Sequence, residues 1–249
     1  MLAIIGGSGL SRLGGLVVTA RRAVRTPYGE PSCPVTFGEL DGCPVAFLAR
    51  HGYGHTIAPH EVNYRANIWA LREVGVTQVI AIASVGGIRT DCVPGVLVLP
   101  DQIIDYTWGR DCTFFEGADQ SVQHVDFTEP YSGAVRTLIA RSAADCGEPL
   151  IDRATYAATQ GPRLESAAEI RRLARDGCDL VGMTGMPEAG LARELALDYA
   201  ALAVVVNPAA GLGASEHGIR LDALKGTLET ALARVQRVLV AAAHRVAGG

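Results

Sequence analysis

The sequence predicts an α/β fold built on a mixed, largely parallel β-sheet flanked by helices. Three observations carry that prediction. Short apolar runs alternate with segments of helical period along the chain. The runs are continuously apolar and do not alternate with polar residues, so both faces of each strand are covered. Several runs end in glycines, at the strand ends where open α/β sheets place their ligands. With 249 residues, 49% of them hydrophobic, the chain can bury one large core, and a single domain over residues 1–249 is expected.

The elements follow in order. "LAIIGG" reads as a strand ending in glycines, and "PVTFGEL" with "CPVAFLARHG" as a pair of strands. "NYRANIWALREVG" places Tyr64, Ile68, Leu71 and Val74 at helical spacing, with Gly75 as its stop. "TQVIAIASVGG" and "GVLVLPDQIIDY" are two further apolar runs, each read as one strand. "ESAAEIRRLARDG" is an amphipathic helix stopped by Gly177; "CDLVGM" is a short strand, "MPEAGLARELAL" a helix and "YAALAVVV" a strand. Leu221 to Val246 reads as one long terminal helix. The aperiodic stretch from Gly109 to Pro130 predicts a long functional or interface loop.

Composition removes several classes of function. The net charge is −4, from 22 basic and 26 acidic residues, and no basic stripe invites a nucleic acid. Six scattered cysteines, with no C-x-x-C pair, read as reduced thiols rather than a zinc or redox site. The opening "MLAIIGGSGL" lacks the basic segment of a secretory signal, and no apolar run approaches a membrane span. Cytoplasmic residence is expected.

The strand ends carry the chemistry. "GGSG", Gly6 to Gly9, can bring backbone amides and the Ser8 hydroxyl to an anion, or can be a plain flexible turn. It lacks the third glycine of a dinucleotide fingerprint, and no G-K-[ST] follows it. In "ARHGYGHTIAPH", Arg50 and His51 leave a second strand together, with His55 and His60 nearby. A guanidinium fork suits phosphate; no helix sets a metal spacing for the histidines, and no metal is expected. "ASVGGI" lets a ligand lie against backbone, and "GMTGMPE" brings Met183 and Thr184 out of the sheet. Met183 can equally be core packing and Thr184 an N-cap. "TQGPRLES" and "VVVNPAAG" add Glu165 and Asn207. Taken alone, Asn207 reads as an Asx turn before Pro208 and Glu165 as a first-turn helix acid. Together these ends supply phosphate-type donors and purine-type partners, with no nucleophile–base triad.

These blocks also carry a family resemblance. "IIGGSGL", "TPYGEPS", "ARHGYGHTIAPHEVNYRANIWAL", "GPRLES", "VGMTGMPE" and "NPAAG" run nearly end to end. The chain resembles the trimeric purine nucleoside phosphorylase and methylthioadenosine phosphorylase family, and within it the bacterial enzymes acting on methylthioinosine. The resemblance implies the nucleoside phosphorylase fold, whose sheet is distorted and barrel-like, and the attack of phosphate on C1′ of a purine nucleoside. It implies no cofactor or metal, phosphate being a co-substrate, and a homotrimer. Carried over residue by residue, Ser8, Arg50, His51, Thr184 and the backbone near Ser84 would hold phosphate. Val85, Gly86, Gly182 and Leu164 would line the base and sugar, and the Met183 backbone would meet the ribose hydroxyls. Leu221 and Leu224 would receive the 5′ substituent, leaving His217 in solvent, and His124 would reach a neighbouring subunit's site.

The resemblance also gives Asn207 a purpose. Family members that act on 6-aminopurines carry Asp at the positions of Asn207 and Ala209; those that act on 6-oxopurines carry Asn, with Glu at the position of Glu165. The chemistry agrees. The Asn207 amide can donate toward N7, and Glu165 can accept from N1–H, whereas adenine would set the lone pair of its N1 against the carboxylate. Asn207, Glu165 and His51 are therefore the expected catalytic residues. The expected reaction is phosphorolysis of a 6-oxopurine nucleoside, methylthioinosine first. Inosine or guanosine phosphorolysis, methylthioadenosine phosphorolysis, nucleoside hydrolysis and a non-catalytic nucleoside-binding module remain as alternatives.

Overall fold

The computed structural model describes residues 1–117 and 121–248, and within the terminal helix it leaves out the side chains of residues 221–225 and 227. In chain order, β1 (Leu2–Gly6), β2 (Leu16–Arg22), β3 (Val35–Leu40) and β4 (Cys43–Ala49) precede α1 (Tyr64–Glu73). Then come β5 (Gln78–Gly87), β6 (Leu97–Leu99), β7 (Gln102–Asp105), α2 (Gly133–Asp145), β8 (Leu150–Asp152) and β9 (Thr155–Ala158). The chain continues through α3 (Ala167–Arg175), β10 (Leu180–Gly182), α4 (Gly185–Glu194), β11 (Asp198–Pro208) and α5 (Leu221–Ala247).

All strands join one mixed sheet, and six of the ten strand pairings are parallel. Its organising strand is β5. One edge of β5 pairs with β11 along its length, from Gln78 to Gly87. The other edge is shared: β1 pairs with Gln78–Ala81, and β10 with Gly86–Gly87. Between them, residues 82–85 of β5 have no strand on that edge, and the sheet splits there. Beyond β10 the branch continues through β9 to β7; beyond β1 it continues through β4 and β3 to β2. The split opens a wedge at the carboxyl end of β1, bounded by Gly6 on one side and β10 on the other. The site lies in this wedge.

The elements form where the apolar runs lie. β1 is buried throughout, as is β11 from Tyr199 to Val205. α1 is capped by Asn63, whose side chain accepts from Ala66 N at 3.0 Å. The α5 stripe of Ala231, Val235, Val238, Leu239 and Ala242 is buried at helical spacing against the sheet. Among the described residues no helix is long and apolar enough to cross a membrane.

Three readings are corrected or completed. "GVLVLPDQIIDY" is two strands, because Pro100 has no N–H for a ladder and the chain changes branch there: β6 pairs with β11 and β8, β7 with β9. Strand β2 gave no signal, being exposed at nearly every position. Helix α2 went unread, although Val135, Ile139, Ser142 and Ala143 form a buried face at helical spacing. The described residues of 106–132 form neither helix nor strand, as expected of the loop.

Candidate active site

A cleft of about 500 Å³ occupies the wedge. The end expected to hold an anion is built from two chain segments leaving adjacent parallel strands, β1 and β4. Arg50 N donates to Gly6 O at 3.0 Å, which locks the turn after β4 beside the glycine turn after β1. A Cβ on Gly7 would lie 2.5 Å from Ile82 O and 3.0 Å from Arg50 Nη1. Only glycine lets the backbone pass so close to the guanidinium. Ser84 Oγ donates to Ser8 O at 3.3 Å, tying β5 to the same turn. Ser8, Arg50, His51, Ser84 and Thr184 all line this cleft, so the residues expected to hold an anion converge.

Arg50 is 1% exposed, and most of its fork is engaged. Nε and Nη2 donate to Glu188 at 2.6 and 2.7 Å, and Nη1 donates to Ile82 O at 3.0 Å. That oxygen belongs to the stretch of β5 left unpaired by the split. Of five N–H donors, about two remain for a ligand. Glu188 is itself fully buried and accepts from Tyr199 Oη at 2.9 Å. Burial pulls the guanidinium toward deprotonation, but the Glu188 carboxylate outweighs it and holds the group above its ordinary value. Glu188 lies in the segment "MPEAGLARELAL", whose helical pattern gave no sign of this pairing with Arg50.

His51 is nearly buried, and its Nδ1 lies 2.9 Å from Ile57 O. A carbonyl only accepts, so Nδ1 carries the proton and donates. The ring packs on His55 with centroids 4.7 Å apart. Burial first, and then the adjacent Arg50 charge, push His51 down to about 4. Thr184 stands at the N-cap of α4, where its side chain makes no capping bond; its N donates to the buried Tyr156 Oη at 3.5 Å.

The opposite wall holds the polar groups expected to face a base. Glu165 precedes the Ser166 cap of α3; the first-turn acid is Glu169, which completes a capping box with Ser166. Thr159 Oγ1 donates to Glu165 Oε1 at 2.6 Å, and Oε2 takes no bond from the described residues. Asn207 makes no Asx turn: its Nδ2 donates to Pro208 O at 2.6 Å, leaving one N–H and Oδ1. Ala209 is buried beside Gly86 and Val181. Val85, Gly86, Leu164, Gly182, Met183 and Ala209 line the cleft with Glu165 and Asn207.

Among the described residues, one expected residue is not in the lining. His124 is exposed and lies outside the cleft of its own chain. The side chains of Leu221 and Leu224 lie outside the described residues. The aliphatic lining at that end comes from Ile219 and Leu228; Leu228 Cδ2 would lie 2.6 Å from a Cβ on Gly9, beside Ser8. His217 is exposed, as expected. Another unanticipated residue is Arg110 in the long loop, whose Nη1 donates to Met183 O at 2.9 Å and Nη2 to Gln160 O at 2.8 Å. It fastens the two segments that carry Met183 and Glu165, and nothing in the aperiodic sequence around it marks that role. Among the described residues no group of three or more His, Cys, Asp or Glu side chains is placed to hold a metal.

Comparison with known proteins agrees with this geometry. The probable S-methyl-5′-thioinosine phosphorylase of Xanthomonas campestris is 57% identical over 212 residues, covering 85% of each chain. The 6-oxopurine nucleoside phosphorylase of Pyrococcus furiosus is 48% identical over 216 residues, covering 85% of this chain and 80% of that one. Among solved structures, the methylthioadenosine phosphorylase of Schistosoma mansoni in complex with adenine superposes with a TM-score of 0.94 at 30% identity, over 100% of this chain and 92% of that one. The profile of the phosphorylase superfamily matches residues 1–244. A match over that span makes the conclusion direct: the chain belongs to the phosphorylase superfamily.

Proposed function

We propose that this protein catalyses phosphorolysis of a 6-oxopurine nucleoside, with S-methyl-5′-thioinosine as favoured substrate and hypoxanthine and 5-methylthioribose 1-phosphate as products. One observation carries the reading: Glu165 and Asn207 share a cleft with Arg50, His51 and Thr184, and Ala209 in the same lining offers no acid. A phosphate oxygen attacks C1′ as the C1′–N9 bond breaks, and the bonding electron pair passes to the purine. Donors held in place on the phosphate and at N7 stabilise charge where it develops, and Glu165 accepts from N1–H. The relatives named for methylthioinosine and 6-oxopurine nucleosides support the same substrate class.

The chain is expected to act as a homotrimer in which His124 enters a neighbour's cleft; its exposure outside its own cleft is consistent with that placement. A second reading, phosphorolysis of inosine or guanosine, puts a 5′-hydroxyl in place of the methylthio group, where Ile219 and Leu228 favour an apolar substituent. The test is release of hypoxanthine from methylthioinosine with and without phosphate. Release that requires phosphate and yields a sugar 1-phosphate is expected; equal release without phosphate would make the protein a hydrolase.

A further inference from the structure

We infer that the anion subsite selects oxyanions that carry a proton, because His51 presents an obligate hydrogen-bond acceptor to the bound anion. The inference rests on the assignment of Arg50, His51 and Thr184 to phosphate. The Ile57 carbonyl fixes the tautomer: Nδ1 must donate to it at 2.9 Å, so the neutral ring offers a bare lone pair at Nε2. No described residue bonds to Nε2, and His51 lines the cleft.

The surroundings keep the ring in that form. The groups facing it are Arg50 on the same segment, His55 against the ring and, through Arg50, Glu188 on α4. Arg50 opposes a second positive charge, while Glu188 is already committed to Arg50 and cannot serve as counter-ion for an imidazolium. The other polar side chains at this end do not discriminate between anions. Ser8, Ser84 and Thr184 hydroxyls can donate or accept, and Arg50 only donates. Among the described side chains at this end, His51 is the one whose tautomer is fixed so that it requires a proton from its ligand.

The consequence is a difference between anions of similar size. Hydrogen phosphate carries one O–H at neutral pH, and that O–H donates to Nε2 while the three other oxygens face donors. Hydrogen arsenate is equivalent. Sulfate carries no proton, so its oxygen meets Nε2 lone pair to lone pair unless the ring first takes a proton from solvent. Binding of sulfate is then coupled to uptake of one proton, and its apparent affinity falls by up to about tenfold per pH unit between the pKa of the ring in the free protein and its higher pKa in the sulfate complex. Phosphate brings its own proton and is free of that coupling.

The experiment measures sulfate as a competitor of phosphate from about pH 6 to about pH 8 at constant ionic strength. The sulfate Ki is expected to rise by about tenfold or more across that range, while the phosphate KM does not rise. His51→Gln removes the titrating acceptor, and its amide can turn either face to the anion. Its sulfate Ki should lose the pH slope, and sulfate should gain on phosphate at pH 8. A wild-type sulfate Ki that stays flat, or a slope that survives in His51→Gln, overturns the inference. If the variant does not fold, the wild-type series decides alone. The underlying assignment fails differently: sulfate would not compete with phosphate at any pH, and Arg50→Ala would leave the phosphate KM unchanged.

Discussion

Arg50 and Glu188 form a bidentate ion pair at 2.6 and 2.7 Å, with 1% and 0% of their side chains exposed, at the floor of the cleft. They are 138 residues apart in sequence. Removing one partner of such a pair leaves a charge buried and unpaired, which costs about 3–5 kcal/mol, whereas replacing both with apolar groups of similar volume is often near neutral. Glu188→Ala should therefore lower unfolding stability by about that amount, and Arg50→Met with Glu188→Leu should recover most of it. Urea unfolding of the single and double variants reads the difference. A double variant no more stable than the single one would show that the ion pair is not the source of the loss.

The same pair bears on catalysis. Arg50→Ala should raise the phosphate KM by about tenfold or more, since a charge-assisted hydrogen bond is worth roughly 1.5–3 kcal/mol. The nucleoside KM should change far less, because the base wall lies across the cleft. Equal increases in both constants would indicate a general collapse of the site.

His51 ties stability to pH. Its folded value of about 4 lies below the ordinary 6.5, so between those values the unfolded chain binds more protons than the folded one. Stability from this group is thus fully present above about pH 6.5 and is lost as pH falls toward about 4, by at most roughly 3 kcal/mol. Urea midpoints across that window should fall in the wild type, and fall less in His51→Asn. Parallel curves for the two proteins would assign the acid lability to other groups.

How much of this was legible in the sequence depended on range. The strand ends were readable because glycine turns punctuate apolar runs, and "GGSG", "ARHG" and "GMTG" each lie where a strand stops. Their convergence was not readable from spacing. It follows from the split along β5, a property of pairings between β1, β10 and β11. The pairing of Glu188 with Arg50 was not readable either, because its partner lies 138 residues away at another strand's end. Strand β2 was missed because its exposed Val17, Val18, Arg21 and Arg22 show no buried face. The donor role of His51 Nδ1 depends on one carbonyl in the following loop, which no pattern of residue types encodes.

Asn207 should control the choice of purine. Its Nδ2 already donates to Pro208 O, so one N–H and Oδ1 remain to meet a base. Asn207→Asp replaces the remaining donor with a group that accepts from an exocyclic amine when it shares a proton with N7. Turnover should shift from 6-oxo toward 6-amino nucleosides, incompletely while Glu165 stays in place, held by Thr159. An unchanged ratio of methylthioinosine to methylthioadenosine turnover would remove Asn207 from the base.

The 5′ end of the sugar decides between the two leading substrates. Ile219 and Leu228 line the cleft, and Leu228 packs against Gly9 beside Ser8. A ribose held over the phosphate would direct its 5′ substituent toward this aliphatic surface. Burying a methylthio group there should gain about 1–2 kcal/mol over a hydroxyl left without a partner, which is a tenfold preference or somewhat more. Methylthioinosine should therefore exceed inosine in kcat/KM, and both should exceed methylthioadenosine. Leu228→Ser should remove most of the first difference by slowing methylthioinosine about tenfold, with inosine little affected. His217, exposed in the loop before α5, provides the control: His217→Ala should leave both substrates unchanged. Equal or better use of inosine by the wild type would refute the aliphatic pocket, and a loss confined to inosine in His217→Ala would place that histidine on the 5′-hydroxyl instead.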